Sequence, residues 1–429
     1  MEQYKNIVLE ILKKAGALDV NLEVPPNKDM GDFSVACFSL AKQQKKSPNE
    51  IAKELQSKID VKKYSHLLER IEVKGPYLNF FVNRQKLIED VIKKIFSENE
   101  HYGSSGSGKG KKALIEHTSI NPNASPHVGR ARNALIGDSI VRIFKFEGYN
   151  TEVHYFVNDV GKQIAILVMG CAGKEKVSFN DLLQIYVDTN NRIAVSSQGE
   201  SGVFVLLNKL EKGDKDIKEK FRKVVDICIK GQAKILSDLG IKYDFYDYES
   251  KYLWDKKLGE IIAKLQHTGK LFVDEEGRKV LNQEDHELPM KSPVLVLTRA
   301  DGTSLYPLRD LAYTIEKIEK PGIDRNIIIL GEDQKLYFMQ INAALGLLSY
   351  KAPESVHYAF VLLKEGKMST RKGNVVLLED FMKEAREKAL AEIKIREKAK
   401  DFVKTSRIIG YGALKFAMLK ISPDKNVTF

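Results

Sequence analysis

Two short segments carry residues of the type and spacing needed to grip a polyphosphate. One is KMSTRKGNVV at 367–376, where Lys367, Arg371 and Lys372 crowd three cations into one short run. The other is His127-Val128-Gly129-Arg130, about 240 residues upstream. A loop dense in Lys and Arg suits closure over nucleotide phosphates. A His beside a cation at a strand-to-helix turn suits the opposite side of the same ligand, because the free N–H groups and positive dipole end of a helix start favour anions. Together they suggest ATP held between two cationic jaws. For the first segment the plain alternative is a solvated basic loop, and for His127 a helix cap; the pairing of GNVV with HVGR disfavours both.

Such residues need a scaffold that brings distant segments to one edge. From 113 onward the pattern becomes strand, loop, helix, strand: a strand at 113–119, the loop INPNASP, a helix from 128 to about 147 ended by Gly148, and a strand at 152–157. This is a βαβ unit, the start of a doubly wound parallel sheet, in which ligands bind at the carboxyl ends of strands. The loop holding Asn121, Pro122 and Asn123 lies at that end. Residues 161–240 read as a helix-rich insertion. Further strands are expected at 293–298, 326–330 and 357–363, with 327–330 an unbroken apolar run as a central parallel strand should have. The segment 378–420 is again helical. No internal repeats occur.

Upstream, residues 1–102 form a small α+β domain, with helices expected at 4–15, 34–45 and 48–59 and strands at 70–74 and 77–82 around the turn Gly75-Pro76. A Gly/Ser run at 103–112 reads as a flexible linker. Gly103 to Lys109 spells GxxxxGK, but Gly110 stands where a P-loop needs Ser or Thr, and a strand follows rather than a helix. The expected division is therefore 1–102, linker 103–112, a Rossmann-type α/β catalytic domain at 113–363, and 364–429 with the basic loop and its following helices.

The 429 residues carry a formal charge of +11 with a pI near 9.1, which favours a polyanionic partner, nucleic acid before membrane surface. Cys37, Cys171 and Cys228 form no CxxC pair, so neither a zinc knuckle nor a disulfide framework is expected, and reduced thiols in a cytoplasmic protein fit best. The N-terminal stretch is an amphipathic helix with acidic residues rather than a signal peptide, and no apolar run approaches the ~18 residues of a membrane span.

The surrounding words are more specific. HVGR resembles the HIGH signature of class I aminoacyl-tRNA synthetases and KMSTRKG their KMSKS signature. IEHTSINPN, RNALIGDSIVRI, YFVNDVGKQ and ADGTSLYPLRDLAYT, with KMSTRKGNVV, resemble arginyl-tRNA synthetases, nearest the archaeal type. GDFSVACFSLAKQQKKSPNEIA and KGPYLNFFVN resemble that family's N-terminal domain, which contacts the outer corner of tRNA. The resemblance covers nearly the whole chain.

It implies an arginine–tRNA ligase, with ATP, L-arginine and tRNA(Arg) as partners, magnesium accompanying ATP, and no membrane. His127 would donate to the phosphates and Gly129 would leave room for adenine. Lys367, Arg371 and Lys372 would hold the triphosphate and the departing pyrophosphate, with Arg130 donating beside them and Met368 and Ser369 completing the ATP contact. A guanidinium calls for carboxylates. Glu116 and Asp310 resemble its ligands, Tyr306 packs against the side chain, and Asn121 holds the amino-acid head group. Asp333 and Gln334, after the strand NIIIL, line the same pocket. For Glu116 and Asp310 the structural alternative is an ion pair, with Arg309 adjoining.

Three departures stand out. Arg130 replaces the last His of HIGH, Thr370 replaces a lysine of KMSKS, and the sequence ends at NVTF, where the resemblance implies that a helical anticodon-binding domain would follow. That admits a truncated or naturally short form, or a paralogue or split-enzyme half that adenylates or senses arginine, with a separate anticodon-binding polypeptide. A non-enzymatic basic tRNA-binding module is disfavoured by intact His127, Gly129, Lys367, Glu116 and Asp310. Specificity for Cys, Glu or Gln gives no reason for two pocket carboxylates.

Overall fold

The computed structural model describes residues 1–18, 20–195, 197–363, 366–367, 376–396 and 400–428. The chain divides into two compact units, Met1–Ser104 and Ser105–Phe429.

The first unit holds α1 (Glu2–Lys14), β1 (Leu22–Glu23), β2 (Phe33–Ala36), α2 (Phe38–Gln44), α3 (Pro48–Lys58), β3 (Leu68–Lys74), β4 (Tyr77–Val82) and α4 (Arg84–Glu98). Its antiparallel sheet runs β1-β2-β4-β3. Helix α3 starts on a capping box between Ser47 and Glu50, with Pro48 at its first turn, and buries Ile51, Ala52 and Leu55. The helix expected at 34–45 is shorter than its spacing suggested. Phe33 and Val35 stand opposite Phe80 and Leu78 of β4, and these apolar cross-strand pairs draw the first residues into the sheet instead.

The second unit is built on a five-stranded, all-parallel sheet. Its strands are β5 (Lys112–Glu116), β6 (Asn150–Val157), β7 (Phe245–Tyr248), β11 (Arg325–Gly331) and β12 (Glu354–Tyr358), in the order β12-β11-β5-β6-β7. The order reverses between β5 and β11, so the crevice at their carboxyl ends is the topological switch point where such sheets bind ligands. Helix α5 (Val128–Phe146) joins β5 to β6. It sits close over the sheet because residue 137 is Gly: a Cβ there would fall 2.2 Å from the His117 ring. Gly148, at φ +90°, ends it with the left-handed turn that favours glycine.

Between β6 and β7 run α6 (Lys162–Cys171), α7 (Leu182–Ala194), α8 (Ser197–Glu211) and α9 (Lys215–Asp238), the expected helical insertion. Between β7 and β11 lie α10 (Lys257–His267), β8 (Leu271–Val273), β9 (Lys279–Asn282), β10 (Val294–Val296) and α11 (Tyr306–Glu319). The strand expected at 293–298 is β10, and it belongs to a separate antiparallel sheet, β10-β9-β8. Its alternating apolar pattern suits one buried face rather than a parallel strand covered on both. Helix α12 (Lys335–Leu347) connects β11 to β12. The expected strand 357–363 is interrupted: β12 ends at Tyr358, and β13 (Val361–Leu363) starts a small sheet with β14 (Gly366–Lys367) and β15 (Val427–Thr428). Helices α13 (Leu378–Arg396) and α14 (Phe402–Leu419) form the expected helical end.

The run read as a flexible linker is partly built into this unit. The Gly108 N–H donates to the Glu147 carbonyl at 2.8 Å, and the Ser105 and Ser107 hydroxyls reach the Glu147 carboxylate. Among the described residues no helix is long and apolar enough to cross a membrane.

Candidate active site

Strand β5 delivers Glu116 to the switch point, and the loop that follows is forced into an unusual path. Thr118 and Ser119 have φ of 84° and 41°, positions that non-glycine residues rarely adopt and that cluster at ligand sites. Neighbours hold them there. Asn133 of α5 accepts the Thr118 N–H and donates to the Ile329 carbonyl at 2.9 Å, and Tyr243 reaches the Thr118 hydroxyl. Further on, buried Gln232 donates to the Asn121 and Ala124 carbonyls at 3.1 and 2.8 Å, while Tyr155 brackets Ile120. The Asn121 side chain donates to Gln163 at 2.9 Å, and Asn123 donates to the same oxygen.

The loop ends at His127, the N-cap of α5. Its side chain makes no capping hydrogen bond among the described residues, and its enclosed Nδ1 has no partner there. Capping is therefore not what this histidine does here. Burial pushes its imidazole down to about 4, and the nearby Arg130 charge adds to the effect, so the ring is neutral at physiological pH. Gly129 lies in the first turn of α5, and the Arg130 side chain there is exposed.

The two cationic motifs meet through backbone. Val128 donates its N–H to the Val376 carbonyl at 2.9 Å, and Leu378 donates to the Pro126 carbonyl at 2.8 Å. His127 and Leu377 form an antiparallel bridge between these bonds, and the Ser125 hydroxyl adds a 2.7 Å bond to Glu379. Lys367 lies in β14, paired with Leu362 of β13. Met368, Ser369, Thr370, Arg371 and Lys372 lie outside the described residues.

On the other side of the switch point, α11 presents Tyr306, Asp310, Tyr313 and Lys317 at helical spacings of four, three and four residues. Lys317 forms a buried ion pair with Glu116, its ammonium also over the Tyr313 ring at 4.3 Å. Asp310 accepts from the Tyr337 hydroxyl of α12 at 2.5 Å. Part of Asp310 still reaches solvent, but enclosure pushes its carboxyl up to about 6, with the Glu116 charge adding to the rise and Tyr337 opposing it. Tyr306 is half exposed, 5.1 Å from the Tyr337 ring. Of the structural alternatives, Glu116 does take part in an ion pair, though with Lys317. Arg309 turns from Asp310 to bond Glu249 at 2.6 Å. Asp333 and Gln334 stand exposed on a turn just past β11, at the neighbouring strand end.

Glu116 and Lys317 are both almost wholly enclosed. Lys317→Met strands a buried carboxylate, which typically costs about 3–5 kcal/mol. Urea unfolding is expected to show a loss of that size, mostly recovered when Glu116→Gln is added. A loss below ~1 kcal/mol would mean that solvent already compensates the pair.

A family profile described as "tRNA synthetases class I (R), catalytic domain" matches residues 91–429, and one described as "Arginyl tRNA synthetase N terminal domain" matches residues 2–82. The chain is 36% identical over 436 residues to the "Arginine--tRNA ligase" of Methanocaldococcus jannaschii, covering 99% of this chain and 75% of the relative. It is 37% identical over 422 residues to that of Methanosphaera stadtmanae, covering 96% and 72%. Its fold is similar to that of Thermus thermophilus arginyl-tRNA synthetase, with a TM-score of 0.75 at 24% identity, covering 100% of this chain and 76% of that one. The Plasmodium falciparum arginyl-tRNA synthetase gives 0.72 at 18% identity, covering 100% and 75%.

Proposed function

The chain belongs to the arginyl-tRNA synthetase family, and from that premise we propose that it activates L-arginine with ATP and passes the arginyl group to tRNA(Arg). The arginine carboxylate attacks the α-phosphorus and pyrophosphate leaves. A terminal ribose hydroxyl of tRNA then attacks the adenylate carbonyl and AMP leaves. In such transfers a protein acts chiefly by positioning and by neutralising charge. The observation that supports this reading most is the backbone joint between the two cationic motifs, at the same sheet edge as Glu116.

Neutral His127 donates to phosphate oxygens, and Gly129 leaves the adenine close to backbone. Arg130, Lys367, Arg371 and Lys372 offset the charge of the triphosphate and of departing pyrophosphate, with Met368 and Ser369 alongside. Magnesium would accompany ATP as part of the substrate and offset phosphate charge. Asn121 holds the amino-acid head group, and Asp333 and Gln334 border it.

Charge balance selects the side chain. Two carboxylates and the Lys317 ammonium leave one net negative charge, which one guanidinium cancels. Tyr306 covers its apolar stem. The N-terminal unit contributes tRNA contact.

The test is ATP–pyrophosphate exchange with arginine, lysine, canavanine and citrulline, with and without tRNA. Arginine is expected to exceed citrulline, which has the shape without the charge, by at least about a hundredfold; comparable rates would remove the carboxylates from the pocket. A requirement for a separate anticodon-binding polypeptide would appear as exchange or charging restored when one is added.

The same assay carries a pH signature. Only ionised Asp310 attracts a guanidinium, so kcat/KM for arginine is expected to fall about tenfold per unit below pH ~6. Tyr337 from α12 bonds this carboxyl, Tyr306 neighbours it, and the charges of Glu116 from β5 and of Lys317 and Arg309 from α11 act on it, the Arg309 side chain being itself bonded to Glu249. Asp310→Asn should abolish this inflection. Its persistence would reassign it to another group.

A further inference from the structure

Arg132 is fully buried, and among the described residues none of its hydrogen-bond partners is a carboxylate. It sits one helical turn beyond Val128 on α5, and its partners among the described residues are backbone carbonyls. Nη1 bonds Ala359 and Lys425, both at 2.7 Å, and Nη2 bonds Ser422 at 2.9 Å and Ile421 at 3.4 Å. Burying a full charge is costly unless several dipoles converge on it. Arg132 therefore makes sense only if joining those two segments matters.

Both segments lead to the base of the second cationic motif. Ala359 lies two residues before β13, and residues 421–425 run directly into β15. Ala359 donates to the Pro423 carbonyl at 2.8 Å, Val427 to the Phe360 carbonyl at 3.0 Å, and Phe360 to the Asn426 side chain at 3.0 Å. Strand β15 pairs with β13, and β13 pairs with β14, which carries Lys367. The far end of the motif is held by Val128 through the Val376 carbonyl. Helix α5 thus grips the basic segment at both ends, through backbone at its exit and through Arg132 at its start.

We propose that Arg132 is a positioning residue that sets the base of the 367–376 segment relative to the HVGR helix start, and so governs ATP binding and pyrophosphate departure without touching the nucleotide. The inference rests on the ATP-gripping role assigned to those two motifs. A planar fork that bridges two strands of carbonyls cannot be reproduced by the single ammonium of lysine. It also acts on one substrate only, since the Glu116–Asp310 pocket is built from β5, α11 and α12, and none of the Arg132 hydrogen bonds above reaches those elements.

The test compares Arg132→Lys, Arg132→Met and Asn426→Ala with wild type in arginine-dependent ATP–pyrophosphate exchange, alongside arginine affinity from calorimetry without ATP. Both Arg132 variants are expected to raise the KM for ATP about tenfold or more, Lys less than Met, with arginine affinity within about twofold. Asn426→Ala, which loosens the same base without stripping the Ala359, Lys425, Ile421 and Ser422 carbonyls of their donor, is expected to raise it severalfold and keeps the test open if Arg132→Met does not fold. An unchanged KM for ATP in Arg132→Lys and Asn426→Ala overturns the proposal, as does a parallel loss of arginine and ATP binding. Absence of exchange in the wild-type protein with tRNA present would instead count against the function itself.

Discussion

Asp310→Asn is expected to lower kcat/KM for arginine by about a thousandfold while leaving the KM for ATP within about threefold. Removing one charge from an enclosed, hydrogen-bonded ion pair typically costs about 2–5 kcal/mol of binding, and about 4 kcal/mol, in the upper half of that range, is a thousandfold. Asparagine keeps the size of the side chain and an acceptor for the Tyr337 hydroxyl, so the substitution removes charge with little change of shape. Stability should move the other way. A carboxyl whose folded pKa of about 6 lies above its unfolded value loses folding stability as pH rises between the two, and the full cost is present at pH 7. The Asn variant should therefore unfold at the same temperature or higher, giving a more stable protein that binds arginine poorly. Equal losses for arginine and ATP, or a lowered Tm, would place Asp310 in the framework rather than the pocket. Glu116→Gln is a less clean probe, because Lys317 depends on that carboxylate.

Much of this arrangement was legible in the sequence, and the part that was not has a common physical cause. The βαβ start was readable because α5 is long, periodic and ended by Gly148, and β11 because its residues Ile327–Leu330 form the unbroken apolar run of a central parallel strand. His127 and Asp310 were visible as chemistry-bearing types at element starts. The roles of Lys317 and Tyr337 were not, because a lysine late in an amphipathic helix and a tyrosine in an apolar one usually face solvent or core. The α11 spacing that joins Tyr306, Asp310, Tyr313 and Lys317 was the available signal. Arg132 and Gln232 were missed for another reason. Both donate to backbone carbonyls more than 100 residues away in sequence, and carbonyls carry no sequence signature. Strand β2 shows the same limit in the first unit, where pairing with β4 overrode a helical pattern.

The second large effect is expected at His127, and its form follows from burial. His127→Ala should lower kcat for exchange by about a hundredfold, the scale for one preorganised donor to charge that develops in the transition state, with the KM for ATP changing only a few-fold. Folding should be nearly unaffected, since the side chain contributes no capping bond among the described residues. The pH dependence separates this role from acid–base chemistry. A histidine that titrates near its ordinary value would impose an inflection between pH 6 and 7, whereas an imidazole held at about 4 stays neutral throughout the working range and acts only as a fixed dipole. The wild-type and Ala profiles should therefore run parallel from pH 6.5 to 8, separated by a constant factor. Converging profiles would mean that the ring gains or loses a proton during the reaction. An unchanged kcat would remove it from the reaction, leaving the anion-binding end of α5 to its backbone N–H groups and Arg130.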